Sequence, residues 1–177
     1  MKTVDSQEKN ITKITNSQEE YLKTIFILEK NNKKVRVTDI AEKLHITKPS
    51  VNKAINILKD MELINYKIYG DIKLTQQGEK LAKEIIKKHD ILKMFLSDVL
   101  EIEPNKAEEE AKQMKYAISE DTAKKLEQYI GKIFDLGDLN CNYDSNSEKC
   151  RNCVKITAKN RLKNHQFGDA SKIGKNK

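Results

Sequence analysis

The sequence predicts a mainly α-helical chain with one small β-hairpin, and three observations predict it. Apolar residues recur at helical spacing along most of residues 17–134. Only two prolines and six glycines interrupt 177 residues, which leaves room for long helices. Between residues 63 and 75 the pattern changes to two short runs, Leu63–Ile68 and Ile72–Thr75, joined by Tyr69-Gly70-Asp71. Gly70 can take a positive φ there, which makes a tight hairpin turn cheap.

The elements follow in order. Residues 1–16 have no apolar pattern and are expected to be loose. Ser17 is expected to cap a first helix, with Glu20 completing a capping box. Tyr21, Leu22, Ile25 and Leu28 form its apolar stripe, with Phe26 beside it. Val37, Ile40, Ala41 and Leu44 fall at i, i+3, i+4 and i+7, a stripe on a helix of about two turns that Thr38 can cap. Ala41 is small where the next helix must come close. His45-Ile46-Thr47 breaks the pattern: His45 finishes the helix near solvent and Ile46 plugs the turn. Pro49 suits the start of a helix that buries Val51, Ile55, Leu58 and Met61.

Two short helices, a tight turn and a two-stranded ribbon are the layout of a winged helix-turn-helix, which sets its second helix in the major groove of DNA. A two-helix corner in some other helical protein is the bland alternative, and the hairpin in the right place weighs against it. Lys48, Pro49, Ser50, Asn52, Lys53 and Asn56 are expected to face the groove. They are short polar and basic groups suited to phosphates and base edges. On the wing, Lys67, Tyr69 and Lys73 are expected to reach backbone phosphates. For Tyr66, packing under the sheet and contact with DNA are both open.

Charge follows the same division. Residues 33–88 hold 13 Lys/Arg against 7 Asp/Glu, whereas residues 89–135 hold 7 against 11. Residues 1–32 balance and residues 136–177 hold 9 against 4, so the net +7 sits on the module and the tail. A basic face is the footprint expected for a duplex polyanion, although a solvated lysine-rich surface would look alike.

After the wing, Gln76 to about Leu100 reads as one long helix with Leu81, Ile85, Leu92, Phe95, Leu96 and Val99 on its apolar face. Pro104 opens a new segment, with helices over about Asn105–Ala117 and Glu120–Phe134, the second capped by Ser119. Leu126, Ile130, Ile133 and Phe134 exceed what one packed side needs, so a helical dimer surface is expected. The division is a loose N-terminus (1–16), a DNA-binding domain (17–80), a linker helix and helical dimerisation domain (81–135), a cysteine-containing segment (136–153) and a basic flexible tail (154–177). No apolar run approaches the ~20 residues that cross a bilayer, and the N-terminus has no signal core, so a cytoplasmic location is expected.

The stretches SQEEYLKTIFIL, VTDIAEKLHITKPSVNKAINILKDMELINYKIYGDIKLTQQGEKLA, KKHDILKMFL and AEEEAKQMKYAISEDTAKKLEQYI carry a resemblance over residues 17–134. Together they resemble the iron- and manganese-dependent repressors of the diphtheria toxin repressor and manganese transport regulator family, in the short form without an SH3-like domain. The resemblance implies a dimer that binds a divalent metal between the first helix, the linker helix and the first dimerisation helix, with metal setting the recognition helices in register with a palindromic operator. Its metal shell maps to positions 20, 23, 89, 112, 115 and 116. Glu20 and His89 stand there as a remnant, but the rest are Lys23, Lys112, Lys115 and Tyr116, with Lys93 and Glu108 at ancillary positions.

A protonated lysine has donors and no lone pair, so it cannot ligate manganese or iron(II). Three outcomes are open. An ammonium held by Glu20, together with Glu108 or Glu109, stands in for the cation, or the lysines point into water around a collapsed site. In the third, Asp90, Glu108, Glu109 and Glu110 rebuild a site with His89.

Cys141, Cys150 and Cys153 are the chain's three cysteines. A C-x8-C-x2-C spacing in a cytosolic protein suits zinc, with His165 or Asp144 as fourth ligand, or an iron–sulfur cluster. Redox-reactive thiols and no function are the alternatives. Past Val154 the chain is polar and basic, with a further helix conceivable over Ile156–Leu162.

These readings converge on a dimeric, sequence-specific transcriptional regulator, expected to be a repressor of metal or redox physiology. A winged-helix module for protein interaction is the rival. No phosphate-binding glycine loop or nucleophile elbow is present, so an enzyme, a small-molecule substrate and a membrane partner are not expected.

Overall fold

The computed structural model describes residues 14–31, 34–67, 70–133, 143–144 and 149–150. Among these residues six α-helices and two short strand pairs follow one another: α1 Asn16–Lys30, α2 Val37–Leu44, α3 Lys48–Asp60, β1 Ile64–Tyr66, β2 Ile72–Leu74, α4 Gln76–Met94, α5 Pro104–Ala117, α6 Glu120–Ile133, β3 Tyr143–Asp144 and β4 Lys149–Cys150. The expected winged helix-turn-helix and helical second domain are both present.

The first core gathers α1, α2, α3, the wing and the start of α4. Leu22, Ile25, Phe26, Ile40, Val51, Ile55 and Leu58 have no exposed surface. Burial of each such side chain contributes about 1.5–3 kcal/mol. Val37, Leu44, Ile46 and Met61 pack at its edge, partly buried. The hairpin pairs Ile64 with Leu74 and Tyr66 with Ile72, antiparallel. Ile72 also takes a backbone bond from outside the hairpin, its N–H donating to Val35 O at 2.9 Å. The Leu74 N–H donates to Glu29 Oε1 at 3.0 Å, so α1 ties down the second wing strand.

Several local expectations change. The α1 cap is Thr15, whose hydroxyl accepts the Gln18 N–H while Gln18 Oε1 accepts the Thr15 N–H; Ser17 and Glu20 lie inside the helix. Ile14 packs on the core just before that cap, which fixes where the chain turns in. Thr38 does not cap α2. The cap is Arg36, whose N–H is taken by Asp39 Oδ2 at 2.9 Å. Gly70 is not in the positive-φ region; its N–H donates to Lys67 O at 2.7 Å. His45 instead takes the left-handed conformation, φ 54°, and ends α2 exposed to solvent. The long helix does not run unbroken to Leu100. It passes at Phe95 into a turn of π-helix, Phe95–Val99, closed by the Leu100 N–H on Phe95 O.

α4 is the spine. At 1.5 Å per residue its 19 residues span about 28 Å. Ala82, Ile85 and Ile86 belong to the first core. Further along, Ile91 and Met94 meet Ile130 of α6, and Leu92 meets Ala107 and Ala111 of α5. Ser119 caps α6 as expected, accepting the Thr122 N–H at 3.1 Å. On α6, Ile130 is buried and Leu126 partly so, while Tyr129 and Ile133 are exposed. Phe134 lies outside the described residues. β3 and β4 pair antiparallel within the cysteine-containing segment, opposing Tyr143 to Cys150.

At the entry to α4, Thr75 caps the helix and Gly78 presses against the wing. A Cβ on Gly78 would lie 2.0 Å from Leu63 O, backbone that cannot step aside. Gly78→Ala should therefore destabilise the protein by about 3 kcal/mol or more in urea unfolding. An unchanged midpoint would contradict this close approach.

Candidate functional site

Two places carry the residues singled out from sequence. The first is the outer face of α3. Val51, Ala54, Ile55 and Leu58 turn inward, so the remaining helical positions must face out. Lys48, Pro49, Ser50, Asn52, Lys53 and Asn56 are all exposed. Thr47 and Ser50 share a hydroxyl–hydroxyl bond of 2.9 Å that steadies the start of the helix. On the wing Lys67 and Lys73 are exposed, with Asn65 opposite Lys73 across the hairpin. Asn65 was not singled out, because an Asn on a short strand carries no pattern of its own. Tyr66 is half-buried against the core, which favours its packing reading. Tyr69 lies outside the described residues.

The second place lies between α1, α4 and α5, at the positions to which the resemblance assigns a metal. Glu20 projects from α1, where it meets Lys115 and Tyr116 of α5. Lys115 Nζ donates to Glu20 Oε1 at 2.6 Å, and the Tyr116 hydroxyl donates to the same oxygen at 2.9 Å. The Lys115 side chain is 2% exposed. Its ammonium also lies 3.9 Å from Glu19 Oε2 and 4.5 Å from the centre of the Tyr116 ring. Lys23 approaches the other Glu20 oxygen at 3.8 Å. Burial alone would raise the Glu20 pKa, yet the Lys115 bond, with help from Lys23 and Tyr116, brings it below its ordinary value. Burial would likewise lower Lys115, and the Glu20 bond raises it instead. Both groups are therefore held charged.

A neighbouring group surrounds Glu108 on α5. Lys93 of α4 donates to its Oε2, and Lys112 lies 3.4 Å from Oε1. His89 Nε2 sits 3.3 Å from the same Oε1 without the alignment of a hydrogen bond, and is buried and unpaired. His89 Nδ1 faces Asp90 Oδ1 at 3.4 Å. Against the cost of burial, the Lys93 bond with the nearby His89 and Lys112 lowers the Glu108 carboxyl to about 2.

These residues do not fit manganese or iron(II). Lys23, Lys93, Lys112 and Lys115 bring ammonium groups to the carboxylates that a cation would need. Among the described residues no three His, Cys, Asp or Glu side chains are grouped to hold a metal ion, so the reading in which acidic neighbours rebuild a site around His89 gains no support. Lys112 is the most exposed of the four lysines, whereas Lys115 does not point into water. Sequence reasoning missed Glu19 and Lys88. Lys88 Nζ donates to Ile118 O and Glu120 Oε1, both at 3.1 Å, joining α4 to the α5–α6 turn. Of the cysteine site, Cys141, Cys153 and His165 lie outside the described residues, and Cys150 and Asp144 are described as strand backbone alone.

Residues 13–72 match the family model for the iron dependent repressor N-terminal DNA binding domain. Residues 75–134 match that for the iron dependent repressor metal binding and dimerisation domain. The chain is 31% identical over 123 residues to an uncharacterised HTH-type transcriptional regulator of Methanocaldococcus jannaschii, covering 69% of this chain and 98% of that one. It is 37% identical over 82 residues to the HTH-type transcriptional regulator MntR of Lysinibacillus sphaericus, covering 46% of this chain and 59% of that relative's length. The solved structure of the manganese regulator SloR matches with a TM-score of 0.58 at 25% identity, over 73% of this chain and 58% of that one.

The Glu108 cluster gives a pH dependence. Its folded carboxyl lies at about 2, below the ordinary 4.5, so its stabilisation is complete above pH 4.5 and is lost as pH falls towards 2. Urea midpoints should drop across that interval, and Glu108→Gln should flatten the drop. Equal slopes in the two proteins would contradict the assignment.

Proposed function

The chain belongs to the iron-dependent repressor family, and we propose that it is a sequence-specific repressor whose α3 reads an operator in the major groove. The single observation that carries this reading is the outer face of α3. Six polar, basic or helix-starting residues stand exposed on a helix whose opposite face is locked into the core. Asn52 and Asn56 have the paired donor and acceptor that match adenine, while Lys48 and Lys53 supply charge to phosphates. Exposed Lys67 and Lys73 extend the basic surface along the wing.

The protein is a DNA-binding transcriptional regulator with a dimerisation domain. In the proposed homodimer, the exposed apolar residues Leu100, Tyr129 and Ile133 meet their copies. A two-fold pair of α3 helices then calls for a palindromic operator, its half-sites about one helical turn apart. The protein acts without catalysis, in keeping with a family of transcriptional regulators. Its proposed place is the cytoplasm, since among the described residues no helix is long and apolar enough to cross a membrane. The rival reading, a protein-interaction module, calls for Asn52 and Lys53 to be masked in the dimer; in the single chain both are exposed.

The C-x8-C-x2-C spacing of Cys141, Cys150 and Cys153 is the sole support for zinc or an iron–sulfur cluster in the C-terminal segment. Metal analysis of anaerobically purified protein should find about one zinc or one cluster per chain, lost on Cys150→Ser. Metal-free protein would end that proposal.

Duplexes recovered by selection from random sequence test the groove assignment. Asn52→Ala or Asn56→Ala should cost about 1–3 kcal/mol at one base pair and relax preference there. Lys67→Ala or Lys73→Ala should weaken all sequences alike and reduce the salt slope by about 1. If all four variants behave identically on selected and random DNA, α3 is not the reading helix.

A further inference from the structure

Lys115 and Glu20 are 95 residues apart in sequence, and they join the two domains. Glu20 lies on the helix that ties down the wing through Glu29, whereas Lys115 lies on α5, which packs through Ala107 and Ala111 on the far half of α4. We propose that the Lys115 ammonium is a built-in cation that holds α1 to α5, so that the DNA-binding arrangement needs no metal and is not improved by one. This rests on the proposed reading of α3 as a groove-binding helix.

Three features carry the inference. A side chain 2% exposed is fixed in place, and its charge is shared among Glu20 at 2.6 Å, Glu19 at 3.9 Å and the Tyr116 ring at 4.5 Å. The tie is covalently permanent on the α5 side, so it cannot wash out as an exchangeable ion does. A divalent ion approaching Glu20 would meet Lys115 and Lys23, and one approaching Glu108 would meet Lys93 and Lys112. At such distances like charges repel strongly in a partly buried setting. Removal of Glu20 would leave the buried Lys115 ammonium with Glu19, 3.9 Å away, as its nearest carboxylate, a costly loss of pairing. The Tyr116 hydroxyl donates to the same Glu20 oxygen as Lys115 does, so the carboxylate is held from two sides without a metal.

The test uses the full chain stripped with chelator and fluorescence anisotropy on the selected duplex at fixed salt. The expected result is equal affinity, within about two-fold, in chelator and in manganese chloride. Lys115→Met and Glu20→Gln should each weaken binding about ten-fold or more, within the usual range for coupling between sites, and manganese should not repair either. Lys115→Arg, which keeps the charge, should retain most of the affinity. Glu20 is partly exposed, so its variant remains informative if Lys115→Met fails to fold. Wild-type affinity that rises ten-fold with manganese would overturn the inference, and so would a Glu20→Gln protein with unchanged affinity.

If no duplex is bound under any condition, the groove reading fails and the tie is judged by amide hydrogen exchange. Faster exchange in α1 of Glu20→Gln, with wild-type exchange indifferent to manganese, supports it. Slower wild-type exchange in α1 and α5 on adding manganese overturns it.

Discussion

An ammonium group buried between two domains must be paired where it sits. Lys115 is closed off from water, and an unpaired charge there would cost several kcal/mol. The requirement falls first on Glu20, whose carboxylate is 2.6 Å away, and through it on α1, which also brings Glu19 to 3.9 Å. Once Glu20 is held by Lys115 and Tyr116, the first helix of the winged domain has one position relative to α5. The rest of the architecture passes that position onward. The Glu29 carboxylate grips Leu74 of the wing, and the inward residues of α3 lock the outward ones to the same core.

The spine through both domains is α4, and its ion pairs repeat the theme. Lys30 of α1 meets Glu79, Lys87 meets Glu127 of α6, and Lys88 meets Glu120. Pairs this exposed contribute little individually, about 0–1 kcal/mol. Their role is to set orientation, whereas burial of the aliphatic cores supplies most of the stability. Lys115–Glu20 differs because its cation is out of solvent. In the proposed account this is the distinction that matters: a diffusible ion would make the arrangement conditional, and a side chain makes it permanent.

Much of the fold was legible where periodicity is strong. The i, i+3, i+4, i+7 stripe of α2, the inward face of α3 and the hairpin after it all rest on side-chain spacing that packing cannot rearrange cheaply. Local end effects were not legible. Thr15 and Ser17 are both good caps by type; the structure uses Thr15, which closes a reciprocal box with Gln18 and follows Ile14 packed on the core. The bridge from Val35 to Ile72 and the π-turn at Phe95 depend on tertiary fit and leave no residue signature.

At the interdomain site, residue chemistry alone revealed that lysines cannot be ligands. Spacing within one helix could not show which carboxylate each would meet. Glu20 was the expected partner, but Lys93 rather than Lys115 holds Glu108, and Glu19 joins from the side. The most direct measurement is a crystal structure of the full chain with its selected duplex, grown in chelator and then soaked in manganese, with anomalous data collected at the metal edge. The account requires Lys115 Nζ to stay on Glu20, with no manganese peak between α1, α4 and α5 and with α3 in the groove throughout. A manganese peak on Glu20 or His89, with Lys115 swung into solvent, would contradict it.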